Sequence, residues 1–204
     1  MRAIAKQQTT PPAELPLSLP EAKDHLRITH ALEDDDVTAA IEAATKTVEV
    51  LSGRQLIQAV WEIAVDRFPS GRRPQLIPLG RLVSVDQIDY DDTNGDPQTV
   101  SAGTIAADYK VRTRSEPGLI YPARGNSWPS AIIDPESVVY TATIGWADRS
   151  AVEPNALHAV KLLLGHFFEN REAVAPLAMH ELPIGARPLI ETLIFDDFID
   201  YRPK

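Results

Sequence analysis

The spacing of apolar residues along this chain switches from a helical period to an alternating one and back. Near the start, Ser18-Leu19-Pro20-Glu21 reads as a capping box with proline in the first turn, so a short helix is predicted to run to about Arg27. The acidic run Glu33–Asp36 opens a second helix, where carboxylates sit well against the positive end of the helix dipole. Val37, Ala40, Ile41, Ala44, Val48 and Leu51 follow at steps of three and four, one helical face, and Gly53 suits the position that ends it.

From about Val60 the period becomes two. Trp61, Ile63 and Val65 alternate with polar neighbours, as a half-buried strand does. Val83 and Val85, then Ile88 and Tyr90, alternate with a slip of one residue, which predicts a bulge near Asp86-Gln87. Asn94-Gly95 predicts a type I′ hairpin. Tyr109–Arg112 and Leu119–Tyr121 are shorter strand candidates. Val138, Tyr140, Ala142, Ile144 and Trp146 form the clearest alternation in the chain. Helical spacing returns after Glu153-Pro154-Asn155, with Leu157, Val160, Leu164, Phe167 and Phe168 on one face. Pro176, Pro183 and Pro188 then permit only short helical pieces. The order is helices, a β-rich middle, then helices.

Composition narrows the function classes. The 204 residues are 44% hydrophobic and 24% charged, as in a globular protein with one sizeable core. A net charge of −9 argues against direct nucleic-acid binding, which needs clustered cations to displace counterions. The absence of cysteine excludes disulfides, thiolate metal sites and cysteine nucleophiles. No apolar run approaches the ~20 residues that span a bilayer, and residues 1–16 carry no apolar segment of a secretion signal. No membrane association is expected.

Each candidate for chemistry has a plainer reading. Asp91–Asp96 resembles a calcium loop, but with Gly95 in sixth place the first and twelfth positions are Tyr90 and Ser101, neither a carboxylate, so a solvated hairpin tip is expected. His158, His166 and Glu169 share a helix without an HExxH motif or a second carboxylate–histidine pair. His25 and His30 flank a helix end, where a cation is favourable by itself. Ser127 lacks the following glycine of a nucleophile elbow, since Pro129 stands there. No enzyme, catalytic residue, cofactor or metal is expected. The alternative from another class is a small hydrolase with an acidic site near Asp89–Asp92. Trp61 and Trp146 fit inward strand phases, whereas Trp128, after a Gly/Asn/Ser loop, is a candidate exposed interface aromatic.

Taken in order, SLPEAKDHLRI, the DDD helix start, VEVLSGRQL running into VWEIAVDRFP, IPLGRLVSVDQIDYDDTNG, the SWP loop, VVYTATIGW with EPNALHAVKLLLGHFFENRE, and ELPIGARPLI resemble the head–tail connector (adaptor) proteins of tailed phages and gene transfer agents. The resemblance covers about residues 15–195, and it rests on the order and spacing of the set. It implies an α+β fold: a helical bundle core of N- and C-terminal helices, Leu17–Gly53 plus Pro154–Arg171, with a β-rich insertion in the middle of the chain. The corresponding domain scheme is an extended arm at 1–16, a helical connector core at 17–59 and 147–181, a β-rich insertion at 60–146 and a docking tail at 182–204.

The resemblance also implies a structural role without catalysis, in a virion assembled in the bacterial cytoplasm. The expected partners are further copies of the chain in a ring of about twelve, the portal protein, and a tail stopper or tail terminator. DNA would pass through the channel without specific binding. About twelve copies at −9 each would carry roughly −108, a charge that would let DNA slide past. In the tail, Leu189, Ile190, Leu193, Ile194, Phe195 and Phe198 make an apolar stripe beside Glu191, Asp196, Asp197 and Asp200. This stripe is the candidate for docking on the portal as an amphipathic helix in a groove, or for folding back on its own bundle.

Overall fold

The computed structural model describes residues 3–169, 183 and 185–194. Its elements in chain order are β1 (Ala5–Thr10), α1 (Leu19–Leu26), α2 (Asp34–Ser52), β2 (Ala59–Val65), β3 (Gln75–Ile77), β4 (Leu82–Asp91), β5 (Pro97–Ser101), α3 (Ala102–Asp108), β6 (Tyr109–Arg112), β7 (Gly118–Pro122), β8 (Val138–Ile144), α4 (Pro154–Glu169) and α5 (Ala186–Glu191). They fall into two compact units: residues 1–13 with 58–145, and residues 14–57 with 146–204.

The first unit is built on an antiparallel five-stranded sheet in the order β1-β2-β8-β4-β5, with a three-stranded sheet in the order β3-β7-β6. β8 is central, and its alternation is complete: Val138, Tyr140, Ala142 and Ile144 are buried while Val139, Thr141 and Thr143 are half-buried. The phase slip in β4 is real. Val85 pairs with Ala142 and Gln87 with Thr141, so Asp86 is an extra residue. Its carboxylate accepts from the hydroxyls of Ser84 (2.7 Å) and Thr143 (2.8 Å), which holds the bulge against β8. A second shift falls between Leu82 and Ser84.

The turn after β4 differs from the expected type I′. Only Gly95 takes a positive φ (+85°), whereas a type I′ turn needs two such residues. Asp92 accepts from the Gly95 N–H at its carbonyl, and its carboxylate accepts from the N–H groups of Asn94 and Asp96. That Asx arrangement stabilises ordinary turn geometry at Thr93 and Asn94 and leaves the left-handed step to the glycine.

The second unit holds α1, α2, α4 and α5. The predicted capping box forms: the Ser18 N–H donates to Glu21 Oε2 at 3.0 Å and the Glu21 N–H to Ser18 Oγ at 3.4 Å. α2 ends at Gly53 with φ +69°. Val37, Ile41, Ala44 and Val48 are buried as their spacing predicts, but Leu51 is 43% exposed. On α4 the buried face is Ala156, Ala159, Val160, Leu163 and Leu164. Leu157, Phe167 and Phe168, expected on that face, pack at its margin. Alanines on both helices (Ala44, Ala156, Ala159) allow α2 and α4 to approach closely.

This architecture overturns the expected helical bundle core with a β-rich insertion. The chain is a mixed α/β protein, and its largest single framework is the five-stranded antiparallel sheet. The cause lies in burial. The β-rich middle closes a core of its own, from Ile63, Val65, Ile88, Tyr140 and Ile144 through Ile77 and Ile120, and has no need of a bundle to cover it. Residues 5–10, read as part of an arm, supply edge strand β1 of that sheet.

Candidate functional site

The tail segment is the main candidate site, and the chain positions it from α2. Gly53 lets the backbone leave the helix in the left-handed region. Arg54 follows at once and is buried. Its Nε donates to the main-chain carbonyl of Leu193, its guanidinium lies 5.9 Å from the Trp146 ring, and Nη1 is 3.9 Å from a Glu153 carboxylate oxygen. Asn155 Nδ2 donates to Thr192 Oγ1 at 3.1 Å. The end of α5 is thus held from two sides.

Of the predicted docking residues, Ile190 and Leu193 lie in the core of the second unit with Ala186, and Leu189 packs against it. Ile194 is 51% exposed. Phe195 and Phe198, with Asp196, Asp197 and Asp200, lie outside the described residues. Periodicity alone did not separate the residues that anchor from the one that is displayed.

Trp128 is not an exposed aromatic. It is 8% exposed and stacks on Phe68 (centroids 5.1 Å apart, planes at 16°), and its Nε1 donates to the Arg73 carbonyl at 3.0 Å. Tyr109 and Tyr140 complete the surrounding cluster. A Gly/Asn/Ser loop suggested solvent, but the loop folds its one large side chain inward.

The acidic residues of the alternative hydrolase reading have structural roles. Asp89 accepts from Gln87 Nε2 and from Thr99 Oγ1 on the neighbouring strand (2.6 Å). Asp92 caps the hairpin, and the Asp91 main chain exchanges hydrogen bonds with residues 132 and 137. Among the described residues no group of three or more His, Asp or Glu side chains is arranged to hold a metal ion. The His30 ring is 3.9 Å from Glu33.

One ion pair and one buried carboxylate escaped the sequence reading. Glu14 receives Arg149 through Nε (2.9 Å), Nη2 (2.5 Å) and the Arg149 N–H (2.9 Å), and these bonds hold its carboxyl below the usual range. Glu49 accepts from Gln55 Nε2 (2.7 Å) and the Leu56 N–H (3.0 Å), yet burial raises its pKa against those bonds. Neither pair has a local signature. Glu14 and Arg149 are 135 residues apart.

No protein-family model matches the sequence, and no curated protein matches it either. Solved structures do match in fold. Against a chain of the neck of an empty gene transfer agent particle, computed with C6 symmetry, the TM-score is 0.75 at 24% identity, covering 98% of this chain and 100% of that one. A chain of the virion of a native gene transfer agent particle gives 0.73 at 22% identity with the same coverage. A chain of the neck of a native particle, computed with C12 symmetry, gives 0.73 at 21% identity, again over 98% and 100%. Over nearly its whole length, then, this chain has the fold of chains found in the necks and virions of gene transfer agent particles.

Proposed function

We propose that the chain is a structural head–tail connector subunit that joins a DNA-filled head to its tail. The carrying observation is the match in fold to neck chains over 98% of this chain and 100% of those, at TM-scores of 0.75 and 0.73. Those necks have C6 and C12 symmetry, which supports a ring of about twelve copies beneath a portal. In this reading the chain carries out no chemistry. It meets further copies of itself, the portal on one side and a tail stopper or terminator on the other, and DNA passes through without specific binding. Its place is the head–tail interface of a virion assembled in the bacterial cytoplasm.

The tail contributes in two parts. Leu189, Ile190 and Leu193 keep α5 on the second unit, and the chain from Ile194 onward, with Phe195 and Phe198, reaches the portal. An electron-microscopy map of the assembled vertex tests the role, and absence of this chain from the neck would sink it. Truncation after Ile194 tests the docking, because it spares the buried residues of α5. The shortened chain should fold as the full one does and fail to be captured by portal protein; undiminished capture would remove the tail from the interface.

A further inference from the structure

The acidic character of the chain is unevenly distributed over the first unit. Both sheets direct alternate apolar residues into one core, Ile63, Ile88 and Tyr140 from the larger and Ile77, Tyr109 and Ile120 from the smaller. Their other faces therefore point away from each other. On the smaller sheet the outward positions are Lys110 and Arg112 on β6, paired with Tyr121 and Leu119 on β7, with Leu76 of β3 beside Leu119. Arg112 Nε donates to the Tyr121 hydroxyl at 3.0 Å, and its guanidinium lies 5.8 Å from that ring. Exposed Arg114 continues the run. Among the described residues, Lys110, Arg112 and Arg114 make no ion pair.

The larger sheet is the opposite case. β2, β4, β5 and β8 contain no Lys or Arg, and Lys6 of edge strand β1 pairs with Ile63, on the inward phase. Outward along them stand Glu62 opposite Thr141, Asp86 bonded to Thr143, and Asp89 bonded to Thr99. This face offers carboxylates and hydroxyls, and each carboxylate keeps acceptor positions beyond the bonds it makes within the sheet.

We infer that these are the two halves of a copy-to-copy contact: the Lys110–Arg112–Tyr121 face of one subunit seats on the Glu62–Asp86–Asp89 face of the next. The inference rests on the ring reading above and names the surfaces that would close it. A closed ring needs two different, mutually complementary patches on each subunit. With about twelve copies each step turns by about 30°, so the patches must lie on nearly opposite sides, as these do within the first unit. Guanidinium groups meeting carboxylates form charge-assisted bonds, while Leu76, Leu119 and the Tyr121 ring supply apolar contact. A nucleic-acid backbone is also an anion, but the receiving acidic face belongs to this same chain, and this favours a second copy.

The experiment is a charge-swap series on the full chain, read by sedimentation velocity over a range of concentration and salt. Wild type should self-associate more strongly at low salt. K110E/R112E and E62K/D89K should each weaken self-association at least about tenfold through like-charge repulsion. An equimolar mixture of the two should recover it, because each then meets a complementary face; that recovery also shows that both variants fold. Undiminished self-association of either variant overturns the contact and leaves the ring reading to the vertex map. A wild-type chain that stays monomeric at every concentration overturns it too. So does retention of duplex DNA by wild type that K110E/R112E loses while self-association is unchanged, since the cationic face would then belong to nucleic acid.

Discussion

Arg54 donates its Nε proton to the main-chain carbonyl of Leu193, a contact that spans 139 residues of sequence. It joins the exit of α2 to the end of α5, and so sets where the last part of the chain leaves the second unit. A charged donor on a carbonyl inside a nearly closed site gains more than an exposed one, because little water competes for either group.

Replacing Arg54 by alanine should therefore loosen α5. The expected loss is roughly 2 kcal/mol, the scale of a hydrogen bond from a charged donor. Hydrogen exchange of residues 186–194 should quicken while α2 stays protected. Unchanged exchange in that segment would show that burial of Ile190 and Leu193 is enough to hold it.

Trp128→Ala should cost roughly 3–5 kcal/mol in equilibrium unfolding, as for a large aromatic lost from a core. Trp128→Phe should cost less, since it keeps a ring against Phe68 and loses the bond to the Arg73 carbonyl. A neutral Trp128→Ala would contradict the inward placement.

Gly118→Ala should be destabilising by roughly 1–3 kcal/mol through overpacking. A methyl group there would collide with the Cβ of Leu82, and the Cδ2 of the same residue would be 2.6 Å away. Leu82→Ala would relieve only the Cδ2 part of that collision, because it keeps the Cβ. A Gly118→Ala variant as stable as wild type in denaturant melts would disprove the close approach.

Two kinds of glutamate should respond to pH in opposite senses. Hydrogen bonds from Arg149 lower the Glu14 pKa, and those from Ser18 lower that of Glu21. A depressed carboxylate stabilises the fold above its ordinary value, about 4.3, and that contribution disappears as pH falls through the folded value. Burial raises the pKa of Glu49, so its folded form binds protons more readily and its penalty grows as pH rises above the ordinary value. Glu14→Gln should thus lower the melting temperature at pH 7 and flatten its fall in acid. Glu49→Gln keeps an acceptor for the Leu56 N–H and should melt at or above wild type at pH 7, with the gain vanishing in acid. Thermal melts from pH 7 to pH 3 separate the two, and parallel curves for both variants would contradict the assignment.

Local chemistry was legible where a few neighbouring residues decide the outcome. The capping box at Ser18 and Glu21, the stop at Gly53, the bulge at Asp86 and the alternation of β8 all depend on steric and hydrogen-bonding rules within one element. β1 and α3 were missed. The polar β1 is extended because β2 pairs with it, and the short α3 shows one buried residue, Ile105, too few to mark a period. The Asn94-Gly95 turn was misread because Asp92, two residues earlier, binds the N–H groups that select its geometry.

By itself the sequence determined the period of each long element, its caps and bulge, and which residues were apolar enough to be buried, since these follow from steric and hydration preferences of adjacent residues. Only the tertiary structure decided that the β-rich middle closes its own core, that Trp128 turns inward, and that Ile190 and Leu193 anchor while Ile194 is displayed. Those outcomes depend on pairs such as Trp128 with Phe68 in the first unit and Arg54 with Leu193 in the second, whose attraction exists only after distant segments have been brought together.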